Sequence, residues 1–352
     1  MNRLLLPDSH VPRTRWHGMS VSEHIGTIGR IAELLPTFEI RPFELAGRAN
    51  SSVNPYLSLI VRKQREGEEE MPVGVVSKQY QLIQHRQVLD NALEGLKKSG
   101  IDPDELSCEL RITEFGERMA LNLLFPSDDR YSFHVNGDDD TMRLRLQCFN
   151  SVDGSTKCIA LLGWYRFVCS NGMVVGITKV DFRRRHDPSL EIENIEAVLR
   201  AGLSAVRDEK ELYRVWLKTN VPGSDLCRWV DGPLREKWGV KLAARTLHIA
   251  KTGYDAAFAK PFEKGKPSEK TMTPTKKVPG AWHPANHTFA ISQTLSWLAK
   301  ERRDIQEQVD RMREIPSLMG QLMTALIVTV PPVRLPNARL PGGDPSVKAG
   351  QG

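Results

Sequence analysis

The sequence predicts an α+β protein, a twisted antiparallel sheet followed by a largely helical C-terminal part. Three observations predict it. Residues 141–180 hold three β-patterned runs punctuated by turn chemistry at Asp153-Gly154 and Asn171-Gly172. Upstream, further short β runs are joined by brief turns, which suits antiparallel pairing because a parallel crossover needs a dozen or more residues. Beyond Phe182 the apolar spacing changes from two to three and four, the period of a helix.

Taken in order, residues 1–36 read as a helical leader. A Pro-broken start precedes Ser20 or Ser22 as a cap, then Ile25, Ile28, Ile31, Leu34 and Leu35 at helical spacing. Residues 37–186 read as a β-rich α+β domain. Strands are expected at Phe38–Leu45, Leu57–Arg62 and Val73–Val76, a helix at His85–Lys98 ended by Gly100, and a hairpin of Leu106–Phe115 with Arg118–Phe125. In the run TMRLRLQCFN, Leu144, Leu146 and Cys148 point one way, and Arg143, Arg145, Gln147 and Phe149 point the other. The returning run, Ile159–Cys169, is mostly apolar, and a third strand covers Met173–Val180.

Residues 187–323 read as a helical region. Asp187-Pro188 forms a cap, and Ile192, Ile195, Val198, Leu199 and Val206 form an apolar stripe. Six lysines, two glutamates and four prolines make residues 260–281 a basic flexible loop. Thr288, Ile291, Leu295, Leu298, Arg302, Ile305, Val309 and Met312 then form one long heptad ladder. It suits packing within its own domain, or a self-association seam and hence a homo-oligomer. Residues 324–352, rich in Pro and Gly and without periodicity, are expected to be disordered.

Composition bounds the function. At 352 residues, with 40% hydrophobic and 26% charged, the chain is long enough for a sizeable core. Its apolar runs are far shorter than the ~20 residues of a membrane span. MNRLLLPDSH is too weakly apolar for a secretory signal, and five cysteines without a CxxC pair argue against disulfides or structural zinc. A cytoplasmic setting is expected. Residues 1–180 carry 21 Lys+Arg against 23 Asp+Glu, and residues 181–352 carry 28 against 20, so a polyanion meets the second half first.

Candidate chemistry is sparse. No GxxxxGK[ST], GxGxxG or GxSxG motif occurs, and Cys169 has no assignable His partner, so no catalytic residue and no cofactor is assigned. His283 and His287 are four apart but flank Pro284, which favours a helix cap over a metal pair. Asp138, Asp139 and Asp140 read as a solvated turn, although with Asp153 or Asp181 they could serve a metal-dependent nuclease.

The positive signal is of binding type. Single strands are held by cations that track phosphates and by aromatic faces that stack bases. Arg143, Arg145 and Phe149, with Tyr165 or Arg166, could supply both from one sheet face. Arg183, Arg184 and Arg185 extend it, and Lys264, Lys266, Lys276 and Lys277 could close over the strand.

The blocks NSVDGS (150–155) and FVCSNGMVV (167–175), VGVVSKQYQLIQHRQVLDNAL (73–93), and SQTLSWLAKERRDIQEQVDRMREIPSLM (292–319) resemble the domain of unknown function 932 family, over roughly residues 70–320. Val152 stands where the family form has His, and the last 30 or so residues do not share the likeness. The resemblance implies a plasmid or phage setting and no established enzymatic activity. The expected function is therefore binding of single-stranded DNA or RNA, as an annealing or recombination accessory factor. The alternative is a non-enzymatic protein-interaction or host-defence-inhibiting factor, which the heptad ladder would serve.

Overall fold

The structure, a computed structural model, describes residues 15–16, 19–44, 52–64, 69–135, 140–166, 173–187, 194–258, 272–302 and 304–329. In chain order the strands are β1 (Arg15–Trp16), β2 (Met19–Gly26), β3 (Phe38–Glu44), β4 (Val53–Arg62), β5 (Met71–Ser77), β6 (Ser107–Thr113) and β7 (Arg118–Leu124). After them come β8 (Ser132–His134), β9 (Thr141–Ser151), β10 (Cys158–Arg166), β11 (Met173–Arg184), β12 (Tyr254–Phe258) and β13 (Met272–Lys277). The helices are α1 (Ile28–Leu34), α2 (His85–Lys98), α3 (Asn194–Lys218), α4 (Gly223–Trp229), α5 (Arg235–Trp238), α6 (Val240–Thr252), α7 (Thr288–Lys300) and α8 (Ile305–Thr329).

Among the described residues all three sheets are antiparallel, and the α+β class holds. The largest runs β1-β2-β6-β7-β9-β10-β11, with β8 added to β9; β3-β4-β5 and β12-β13 form the other two. Alternation explains the large sheet. Met142, Leu144, Leu146 and Cys148 of β9 are fully buried on one face, where Leu162 and Trp164 of β10 join them. That face packs on helices: Trp164 Nε1 donates to Glu209 of α3 at 3.0 Å. A Cβ on Gly202 of α3 would come within 2.6 Å of Leu162, so α3 lies close on the sheet only because this residue has no side chain.

Helix α2 is bounded as the sequence predicts. Val88, Leu89, Ala92 and Leu96 make its buried stripe, and Gly100 takes the left-handed φ of +76° beyond its end. Gln84, before its first turn, ties α2 to β3: its amide accepts from Phe38 N at 3.0 Å and donates to Phe38 O at 2.8 Å.

Three elements depart from expectation. The predicted leader helix is strand β2 followed by a short α1. Residues 21–26 pair with β6, and the helix starts only after Thr27, whose hydroxyl accepts from Arg30 N. The heptad ladder is two helices. Asp304 starts a new helix by accepting from Glu307 N at 3.2 Å, so Arg302 falls in the break. Because Thr288 through Ala299 are all buried, the α7 part of the ladder is spent inside the chain, not on an exposed seam. Finally, the basic 260–281 segment is not one loop, since its residues 272–277 pair with β12. Residues 259–271, the leader before Arg15 and the tail beyond Thr329 lie outside the described residues.

Candidate nucleic-acid interface

The face of the large sheet turned away from α3 carries the polar members of the same strands. The register aligns Arg143 with Tyr165 and Arg145 with Gly163, so Arg143, Arg145, Gln147 and Tyr165 share that face. Across β7 and β6 the rows continue as Gln147, Asn122 and Glu109, and as Phe149, Ala120 and Arg111, the last beside Glu23 of β2. A polar track therefore runs from the buried middle of the sheet to the Arg111–Glu23 ion pair at 2.9 Å, where both side chains reach solvent.

Arg145 is the unusual member. It is 6% exposed, and it makes no hydrogen bond or ion pair among the described residues. Its guanidinium lies over the Tyr165 ring at 4.7 Å from the centroid. Burial holds its pKa below the ordinary arginine value, while Glu109 attracts and Arg111 repels its charge. Burying an ion costs several kcal/mol even after relaxation, and a desolvated cation–π contact returns about 2. The difference is what an anionic ligand would offset. Beside it, Asn122 Nδ2 donates to Glu109 at 3.2 Å, while Asn122 Oδ1 and Gln147 Oε1 are buried without a partner among the described residues.

The other expected contacts divide. Arg143 is half-buried on the same face and donates to Phe125 O, through Nε at 3.0 Å. Phe149 is 2% exposed and packs edge-on against Trp16, and Tyr165 is 6% exposed beneath Arg145. The expectation of open rings for base stacking is thus corrected, since both rings belong to packed layers. Arg166 is corrected more completely. Next in the strand after Tyr165, it turns to the opposite face, is 1% exposed, and pairs bidentately with Asp140 at 2.6 and 2.5 Å. Its guanidinium also lies over Trp282 at 4.5 Å.

Arg183 and Arg184 fall within β11, opposite Ile159 and Cys158, where only the backbone is described; Arg185 follows as an exposed residue. Lys276 is held by Glu301 at 2.8 Å and lies over Trp297, and Lys277 is exposed on β13. Neither is on a loop free to close over a strand. Lys264 and Lys266 lie outside the described residues, as do Asp138, Asp139 and Cys169.

Two carboxylates of the nuclease reading are engaged elsewhere, and only the backbone of Asp181 is described. Asp140 holds Arg166, and Asp153 holds Arg118 at 2.7 Å in a second buried pair. Among the described residues no three His, Cys, Asp or Glu side chains could hold a metal ion together. His287 caps α7 by accepting from Ala290 N at 3.2 Å. Asn122, Glu109 and Arg111 were not singled out by sequence reasoning. The available signals were an asparagine inside the apolar run RMALNLL and the alternation of CELRI.

One helical carboxyl gives a pH prediction. Burial raises Glu209 to about 7, against the opposing hydrogen bond from Trp164. A raised folded pKa means that its stabilisation is complete below the ordinary value of 4.5 and is lost as pH rises through 7. His85 acts oppositely: burial lowers it to about 4, so its stabilisation holds above 6.5 and falls as pH drops toward 4. The difference between wild type and Glu209→Gln isolates the carboxyl. Unfolding stability of the variant relative to wild type should rise by about 3 kcal/mol between pH 4.5 and 8; a pH-independent difference would contradict the assignment.

No helix among the described residues is long and apolar enough to cross a membrane. The family described as Domain of unknown function (DUF932) matches residues 72–315. No curated protein and no solved structure matches the chain.

Proposed function

The chain belongs to the domain of unknown function 932 family, and from that premise we propose that it binds single-stranded nucleic acid by its phosphates, on the sheet face that carries Arg145. One observation carries the reading: a nearly buried guanidinium that forms no ion pair among the described residues, its Nε without a hydrogen-bond partner there and its charge met only at longer range by Glu109. A phosphate oxygen supplies both. The narrow exposure of Arg145 favours a single strand, which can insert one phosphate, over a duplex, whose breadth keeps it at the rim. Arg143 and Arg111 flank the approach, and Glu109 and Glu23 limit the excess to about one positive charge beyond them.

Bases have no role in this mode, because the two rings once available to stack them are packed. Sequence preference is therefore weak. The family resemblance extends the reading to an accessory of annealing or recombination in a mobile element.

The test is fluorescence anisotropy with labelled strands of about 20 nucleotides and the matching duplex. Single strands should bind more tightly, with little dependence on sequence, and should lose affinity with a log–log salt slope of roughly −0.7 per phosphate contact. Equal affinity for duplex and single strand, or binding indifferent to salt, would overturn the proposal.

A further inference from the structure

We propose a second anion site: the cleft between α3 and the β7–β8 connection binds the phosphate chain of a nucleotide. It stands on the opposite side of the large sheet from Arg145 and does not rest on the reading of that residue. The cleft encloses about 440 Å³, within the range of small-ligand pockets. Four cations line it: Arg130 from the connection, and Arg207, Lys210 and Arg214 from α3. Their spacing of three and four residues puts the last three on one helix face. Asp129 and Glu211 also line the cleft, leaving two positive charges in excess.

The cations are unequally engaged. Lys210 is fixed at the base of the cleft, donating to Ser132 O at 3.0 Å and to Asp129 O, with its ammonium over the Trp164 ring at 5.6 Å. Burial, and then the nearby Arg214 charge, hold its pKa below the ordinary lysine value. Arg214 pairs with Glu211 and Arg130 with Asp128, whereas Arg207 is exposed and makes no ion pair among the described residues. Like charges so gathered repel one another, and a multiply charged anion relieves several repulsions at once. The remaining lining is Ser99 together with apolar and aromatic side chains, Leu203 and Val206 on α3 and Tyr131. A ring set against these side chains, with its phosphates toward Arg207 and Arg214, uses both halves of the cleft. The ligand class is accordingly a nucleoside polyphosphate or a nucleotide of a strand.

The experiment is calorimetric titration of the full chain, without divalent metal, with ATP, inorganic triphosphate and adenosine in turn. ATP is expected to bind at least about threefold more tightly than triphosphate, with adenosine silent. The double variant Arg207→Ala/Arg214→Ala, both residues exposed and so compatible with an unchanged melting temperature, should weaken ATP about tenfold or more. Displacement of ATP by a strand of about 12 nucleotides would assign the site to strand phosphates, and lack of displacement to free nucleotide; both support phosphate capture. No ATP binding, triphosphate binding as tightly as ATP, or an unaffected double variant would overturn the proposal. Loss of ATP binding by the double variant with anisotropy of single strands unchanged would separate this cleft from the Arg145 face.

Discussion

Arg166→Met is expected to destabilise the fold by about 3–5 kcal/mol, the cost of leaving one member of a buried ion pair uncompensated. Arg166 and Asp140 are both nearly inaccessible, and their two parallel hydrogen bonds fix β10 to the segment that opens β9. Arg166 also reaches Gly280 O at 3.1 Å and Gln293 Oε1 at 3.3 Å, tying the sheet to α7 and to the loop before it. Removing the guanidinium strands a carboxylate in a medium that solvates it poorly. The double variant Arg166→Met/Asp140→Leu removes both charges and should recover more than half of the loss. Denaturant unfolding of the three proteins provides the check, and equal destabilisation by the single and double variants would mean that the pair is not what Arg166 contributes.

Arg145→Met is expected to have the opposite sign, raising the stability of the ligand-free protein by about 1–3 kcal/mol. The two arginines lie on neighbouring strands and are both buried, yet one is paired directly with a carboxylate, and the other has the face of Tyr165 and only the longer-range attraction of Glu109. Methionine keeps the apolar shaft packed and removes the desolvated charge. The gain falls short of the full cost of burying an ion because the cation–π contact is also lost. A thermal or chemical melt that shows Arg145→Met destabilised as strongly as Arg166→Met would mean that Arg145 has a compensating partner within the fold.

A segment of this chain is legible in the sequence when it declares its own period. The run MRLRLQC alternates strictly, so the shared face of Arg143, Arg145 and Gln147 is legible in the sequence. Ile159–Tyr165 is apolar throughout, carries no period, and so left open which of Tyr165 and Arg166 joined them. Helix α2 was readable to its ends because its stripe and its glycine agree. The segment from Val21 to Leu35 was not, because isoleucines three apart fit a helix while Val21, Glu23 and Ile25 fit a strand, and pairing with β6 decides for the strand as far as Gly26. The heptad ladder misled in another way: its spacing survives the break, but Asp304 supplies a start signal within the charged stretch that follows α7. Burial of Phe149 against Trp16 is a contact between residues far apart in the chain, which no local pattern encodes.

The most direct measurement is the affinity of wild type and Arg145→Met for the same labelled single strand across a salt series. The account predicts that the variant binds at least about 30-fold more weakly at low salt, since truncating one side of a buried charge pair costs 2 kcal/mol or more. Its log–log salt slope should also be shallower by roughly 0.7, one phosphate contact fewer. An Arg145→Met protein that folds and binds the strand with unchanged affinity and unchanged slope would contradict it.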